Sequence, residues 1–354
     1  MKTFSDRWRQ LEWDDIRLRI NSKTAADVER ALAAKQLTRD DMMALLSPAA
    51  ANYLEPLAQR AQRLTRQRFG NTVSFYVPLY LSNLCANDCT YCGFSMSNRI
   101  KRKTLDAAEI ARECAAIRNL GFEHLLLVTG EHQGKVGMDY FRQHLPAIRS
   151  QFASLHMEVQ PLATEEYAEL KTLGLDGVMV YQETYHESMY AKHHLKGKKQ
   201  DFFWRLDTPD RLGAAGIDKI GLGALIGLSD SWRVDCFIVA EHLLWLQPAS
   251  LMDERQLVQT ICAFRLLAPE VELSLSTRES PWFRDRVIPL AINNVSAFSK
   301  TQPGGYADDH PELEQFAPHD DRRPEEVASA LAARGLQPVW KDWDSWLGRA
   351  SQTS

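Results

Sequence analysis

The stretch Cys85–Phe94, CANDCTYCGF, sets three cysteines at C-x3-C-x2-C spacing in one short polar loop. It follows directly on the β-rich run Thr72 to Leu81, and Asn87, Asp88 and Gly93 are residues that turn a chain. Three thiols this close make poor packing units and good ligands for a soft metal. The other cysteines, Cys114, Cys236 and Cys262, lie in helix-like stretches without that spacing, where small buried thiols are expected.

Upstream of the loop, residues 1 to about 70 read as helix. Lys23 to Lys35 carries apolar residues at helical intervals behind a Thr24 cap, Asp40 to Leu46 follows, and Tyr53 to Phe69 is amphipathic. Downstream, strands and helices alternate. After the first strand, Val73 to Leu81, come His124 to Thr129, His156 to Gln160, Gly177 to Gln182 and Lys219 to Ile226, with helical patterns between them. Such repeated βα units predict a TIM-like (β/α) barrel, with a doubly wound sheet as the alternative. The predicted organisation is a helical N-terminal extension over 1–70, a barrel over 71–300 and an irregular C-terminal extension over 301–354, packing on the barrel.

The alternation fails once. A helix from about Val234 to Leu246 runs across Gln247-Pro248-Ala249-Ser250 into another helix, Asp253 to Leu267, where a strand is due. The next strand candidate is Val271 to Ser276, followed by an irregular segment, Ile288 to Ser299. In the tail, Trp340, Trp343 and Trp346 are expected to pack onto the barrel rather than build a site.

The hydrophobic fraction of 45% and charged fraction of 25% are those of a soluble globular protein. A net charge of −4 gives no global attraction to nucleic acid or acidic membranes. There is no apolar leader and no membrane-length apolar run, so a cytoplasmic protein is expected. The basic runs Arg99 to Lys103 (RIKRK) and Lys192 to Lys199 (KHHLKGKK) read as solvated loops.

Three chemistries compete for the cysteine loop. Zinc wants four ligands, and only three cysteines are near. A disulfide disagrees with the compartment and the odd count. A 4Fe–4S cluster on three cysteines leaves one iron open, and it leads on spacing, with zinc next.

The C-x3-C-x2-C spacing, with an aromatic before the last cysteine and a barrel strand before the loop, resembles the radical S-adenosylmethionine (SAM) superfamily. That resemblance implies a 4Fe–4S cluster on Cys85, Cys89 and Cys92 and SAM on its open iron. It places Tyr91, Gly130, Glu131, Arg205, Gly221 and Gly223 around SAM, with Glu131 toward its amino group and the Gly221–Leu228 run near its adenine. Longer segments sharpen it: VSFYVPLYLSNLCANDCTYCGFSMSNRIKRKTL, HLLLVTGEHQ, EVQPL, VYQETYH, HLKGKKQDFFWRLDTPDR and LSLSTRESPWFRD. Together they resemble the 2-iminoacetate synthase family, the tyrosine lyases of thiamine thiazole biosynthesis.

What this implies is Cα–Cβ cleavage of L-tyrosine to 2-iminoacetate and p-cresol, a thiazole synthase partner and a flavodoxin-type electron donor. For the substrate, Arg278 is the candidate for the α-carboxylate and Glu279 or Glu183 for the amine, with Ser276, Thr277 and Ser296 to Lys300 able to hydrogen-bond it. The related hydrogenase-maturation lyase carries a further cluster domain, and no cysteine follows Cys262 here. Against the family pattern, about two dozen residues with the sixth barrel strand are missing between Gln247 and Pro248. Alternatives from other classes are a radical SAM enzyme acting on another aromatic amino acid or cofactor precursor, and a non-catalytic metal-binding protein.

Overall fold

The structure, a computed structural model, describes residues 3–242, 254–307 and 316–340. Ten strands occur in it: β1 (Thr72–Ser82), β2 (Asp88–Cys89), β3 (His124–Thr129), β4 (Ser154–Glu158), β5 (Gly177–Met179), β6 (His194–Lys196), β7 (Lys219–Gly221), β8 (Ser274–Leu275), β9 (Asn294–Ser296) and β10 (Gln337–Val339). The main sheet runs β7-β5-β4-β3-β1-β9-β8, every pairing parallel, with β10 added beside the start of β1. Read from β8, the order 8-9-1-3-4-5-7 is chain order cyclically permuted, the winding of a barrel. A doubly wound sheet would reverse direction at β1.

The period-2 pattern of β1 explains its place at the centre. Val73, Phe75, Val77, Leu79 and Leu81 face outward into the layer shared with Ile110, Cys114, Phe141, Leu145 and Tyr167 of the surrounding helices. The alternate residue Tyr80 faces a second, inner cluster with Leu126, Val128 and Phe94. The helix Ala107–Asn119 starts where the Asp106 side chain accepts hydrogen bonds from the backbone N–H groups of Ala108 and Glu109, and the Glu109 carboxylate accepts one from the Asp106 N–H.

Between β7 and β8 no ladder is formed among the described residues, and the barrel stands open there. The chain on that side supplies the helices Trp232–Glu241 and Glu254–Leu267; the expected break at Gln247–Pro248 lies outside the described residues. Lys219 Nζ reaches Glu272 Oε2 at 3.0 Å across the rim of the opening. The segment expected to be irregular, Ile288 to Ser299, is instead the end of the helix Pro281–Ala291 followed by β9, which pairs with β1 and continues the wall. The fifth barrel strand, expected over Lys219 to Ile226, is only β7, extended by a bridge between Glu183 and Ala224.

The N-terminal helices Trp13–Asn21, Ala25–Ala33, Arg39–Leu46 and Leu54–Phe69 pack their apolar faces on the two helices beside the opening, burying Ile16, Ile20, Met42, Leu45 and Leu57 with Trp232, Phe237 and Leu266. Thr24 and Thr38 cap two of these helices in reciprocal boxes with Asp27 and Asp41. At the other terminus, β10 brings Trp340 against Phe75 and Phe122, ring centroids 4.6 and 5.4 Å apart. Trp343 and Trp346 lie outside the described residues. Arg284 and Asp320, both fully buried, pair with each other and tie the segment after residue 316 to the wall.

Candidate active site

The cysteine loop is clamped from both sides by backbone. On one side, Gly130 N donates to Ser82 O at 2.8 Å and Ala86 N donates to Glu131 O at 2.9 Å. A Cβ on residue 130 would stand 2.4 Å from the Leu84 carbonyl oxygen, so only glycine allows β3 to end this close to the loop. On the other side, β2 and β6 pair antiparallel, Asp88 opposite Lys196 and Cys89 opposite His194. Thr90 N donates to His193 O, and Gly197, at φ +85°, passes where a Cβ would be 2.2 Å from Asn87 Oδ1. Arg102 closes the far end, donating to the carbonyls of Asn83, Phe94 and Ser95 at 2.8, 2.9 and 2.7 Å. Both basic runs that read as solvated loops are therefore partly wall, because their backbone carbonyls accept from Thr90 and Asn83 N–H and Arg102 satisfies carbonyls of the cysteine loop.

Cys85 and Cys92 are half-buried, Cys89 is buried, and all three are free thiols. Burial pushes the Cys85 thiol up and Cys89 up to about 12. Such thiols are neutral alone and become thiolates when a soft cation supplies the compensating charge. Among the described residues, no three His, Cys, Asp or Glu side chains converge as a single metal ion requires. The donors present, three separate thiols of which Cys85 and Cys92 pack against Tyr80, Phe94, Leu126 and Val128, suit a polynuclear cluster better than zinc.

Beside the loop lies a buried array of charge. Glu131 accepts from Arg205 Nη1 at 2.8 Å and from Asn87 Nδ2 at 2.8 Å, and Lys199 Nζ lies 3.9 Å away. Burial works to raise the Glu131 carboxyl, but the Arg205 and Lys199 charges and the two hydrogen bonds more than offset it and hold it below the usual range. Lys199 Nζ donates to Glu183 Oε1 at 2.6 Å; burial and Arg205 work against its charge, yet Glu183, Tyr91 and Glu131 hold its pKa well above the ordinary value. Glu183 is one of two non-glycine residues at positive φ among those described, at +76°. A carboxylate held in that region costs about 1–3 kcal/mol that the surrounding packing must supply. Tyr91 donates its hydroxyl proton to His194 Nε2 at 2.7 Å, since His194 Nδ1 faces the Tyr190 carbonyl at 2.8 Å and carries the ring proton. Burial pushes His194 down to about 2, so the imidazole is neutral.

Below this array the barrel lumen is polar and aromatic. Tyr76, Tyr80, Glu158 and Tyr181 line it, with Tyr181 beside Glu158. Burial first, and the Glu183 charge next, push Glu158 up to about 7. Gly221 and Gly223 lie where a Cβ would meet the Met179 and Tyr181 side chains at 2.4 and 2.5 Å, so they back the lumen from β7. Arg278 sits after β8, exposed, its guanidinium 4.0 Å from the Phe316 ring centroid. Its charge reaches Glu158, Tyr80 and Tyr181. Glu279 is half-buried in the turn before the helix Pro281–Ala291. Thr277 is buried, its carbonyl accepting from His319 and Asp320 N–H, while Ser276 is half-buried and Ser296 and Ser299 are buried.

The structure thus brings Cys85, Cys89, Cys92, Tyr91, Gly130, Glu131, Arg205 and Glu183 together, with Gly221, Gly223 and Arg278 on the lumen side. Sequence reading passed over Lys199, His194 and Glu158. For Glu158 a signal existed: it alternates with Met157 and Val159, both in the outer apolar layer, so its carboxylate faces the lumen. Lys199 and His194 sat inside a basic run, where nothing in the sequence separates a buried lysine from a solvated one.

Comparison with known proteins gives matches over the whole chain. The Radical SAM superfamily matches residues 79–237, and the Biotin and Thiamin Synthesis associated domain matches residues 241–337. A 2-iminoacetate synthase of Escherichia coli strain K12 is 84% identical over 375 residues, covering 99% of this chain and all of the relative. One of Salmonella typhimurium is 82% identical over 376 residues, covering all of both chains. With 376 aligned positions against 354 residues, at least 22 positions of that alignment have no residue in this chain. Among solved structures, HydG, a maturase of the FeFe-hydrogenase, superposes with a TM-score of 0.85 at 28% identity, over 96% of this chain and 82% of that one.

Proposed function

We propose, from the premise that this chain belongs to the 2-iminoacetate synthase family of radical SAM enzymes, that its barrel cleaves the Cα–Cβ bond of L-tyrosine to 2-iminoacetate and p-cresol in thiamine biosynthesis. When bound, the 4Fe–4S cluster and SAM supply the 5′-deoxyadenosyl radical, with methionine and 5′-deoxyadenosine as by-products. Hydrogen is taken from the substrate amine, scission of the Cα–Cβ bond leaves 2-iminoacetate, and the expelled 4-hydroxybenzyl radical takes one electron and one proton to become p-cresol.

The chain's own residues then have these roles. Cys85, Cys89 and Cys92 would hold the cluster. Glu131 offers its carboxylate to an ammonium group, and Arg205 and Lys199, which now neutralise it, are the cations available to a ligand carboxylate. Tyr91 is oriented by His194, and Gly221 and Gly223 let the Met179 and Tyr181 side chains lie close beside them. Arg278 pairs the tyrosine carboxylate, with Glu183 or Glu279 toward the amine. Tyr76, Tyr80 and Tyr181 keep the lumen short of water, which protects a radical.

The observation that carries this reading is the clamped triad of thiols beside the Glu131–Arg205–Lys199–Glu183 array. A thiazole synthase to receive the unstable imine and a flavodoxin-type reductant belong to the proposal, as do a cytoplasmic location and the division into 1–70, 71–300 and 301–354. Among the described residues no helix is long and apolar enough to cross a membrane. The test is anaerobic reconstitution followed by SAM, dithionite and L-tyrosine. p-Cresol is expected, and 5′-deoxyadenosine without p-cresol would reject the substrate.

A further inference from the structure

The β2–β6 pairing does more than clamp the cysteines. It brings the two basic runs to either side of the same loop, one through Arg102 and the Asn83 contacts, the other through Lys196 and His193. Around the loop the side chains of Arg99, Lys101, Lys192, Lys196 and Lys198 are exposed, in a chain whose net charge is −4. The only carboxylate within the loop itself, Asp88, is buried under them and bonded to Ser95 and Ser97. Glu187 is the exposed acid on the neighbouring helix. Two large apolar side chains, Met96 and Leu195, are each 48% exposed on the same rim. A protein surface that is acidic overall but carries an apolar pair inside a cationic ring beside half-buried Cys85 and Cys92 has the makeup of an interface core and rim.

We propose that this rim, Met96 and Leu195 ringed by Arg99, Lys101, Lys192, Lys196 and Lys198, is the docking surface for a small acidic one-electron carrier protein. The inference rests on the radical reading above, since it supplies that site with its electron. One electron leaves the carrier, which is oxidised by one unit, and reduces the cluster by one unit; no bond or proton moves in that step. Charge of opposite sign draws the carrier in and orients it, while the apolar pair fixes contact once water leaves. A basic partner is excluded by the same charges.

The test uses the full chain with Arg99→Glu, Lys192→Glu and Lys198→Glu combined, leaving the loop contacts of Lys196 and Lys199 in place. Binding of an oxidised flavodoxin is measured by titration calorimetry at about 50 mM and about 500 mM salt, where screening shortens from roughly 14 to 4 Å. The expected result is at least a ~10-fold loss of affinity at low salt that shrinks at high salt, with binding to thiazole synthase unchanged. In the reconstituted enzyme, p-cresol formation driven by reduced flavodoxin falls while that driven by dithionite stays within about two-fold. Unchanged flavodoxin affinity, loss of thiazole synthase binding instead, or an equal fall with dithionite overturns the proposal. Failure of the underlying reading is separate: the unsubstituted chain would then make no p-cresol with dithionite, while the calorimetry still decides the surface.

Discussion

The two halves of the barrel wall are built differently. On the β1–β3 side, β1 is eleven residues long, pairs with β3, β9 and β10, and delivers the cysteine loop into a backbone clamp closed by Gly130 and Gly197. On the β7–β8 side the strands are three and two residues long, no ladder joins them among the described residues, and a half-exposed ion pair, Lys219–Glu272, spans the rim. A site for a cluster needs atoms fixed to fractions of an ångström, and backbone ladders provide that. A wall held by one surface-type ion pair, worth about 0–1 kcal/mol, does not. The chemistry is concentrated where the wall is strongest.

Removing a ligand from the strong half should have the largest effect. Cys85→Ala, Cys89→Ala or Cys92→Ala should abolish both 5′-deoxyadenosine and p-cresol, with iron content after reconstitution as the check. Next comes the clamp itself: Gly197→Val demands a Cβ within 2.2 Å of Asn87 and a β-branched residue at φ +85°, so cluster loading should fall by at least about ten-fold. Hydrogen exchange over 187–200 should rise with it; unchanged protection would show that β6 does not hold the loop.

Arg284→Ala removes one partner of a fully buried pair and should lower stability by about 3–5 kcal/mol, read from denaturant unfolding. For the weak half, inserting the corresponding segment of the Escherichia coli relative after Gln247 should raise the thermal midpoint by several degrees, about 1–2 kcal/mol. No gain would mean that the opening is already sealed in solution.

The smallest effect is a pH dependence. Glu158 has its pKa raised to about 7 in the folded chain, so between roughly pH 4.5 and 7 the folded state holds a proton that the unfolded state lacks. Stability from this group is full below that window and declines as pH rises through it. Glu158→Gln should flatten this part of the stability profile in thermal scans.

The alternation of apolar residues made most of the wall legible, because one face of each strand must meet the helices: Val73 to Leu81 and His124 to Thr129 were placed to within a residue. β9 was not, since Asn294-Val295-Ser296 offers one apolar residue and its identity as a strand comes from pairing with β1. Short strands carry too little pattern to announce themselves. Within the site, spacing singles out Cys85, Cys89 and Cys92 as soft-metal donors, whereas Glu131 comes from the family resemblance. Arg278 sits after β8 with its charge reaching Glu158, and Glu279 is half-buried in the turn before the helix Pro281–Ala291.

By itself the sequence determined the three-thiol loop, the βα winding and the break in strand–helix alternation near Gln247, because thiol spacing and hydrophobic period are local facts. Only the tertiary structure decided that Lys199 is a buried counter-ion and Lys198 an exposed one. The same run holds both, and burial depends on Glu183 and Glu131, which lie 16 and 68 residues away in the chain. The charge on a lysine is written in the sequence; the dielectric around it is made by the fold.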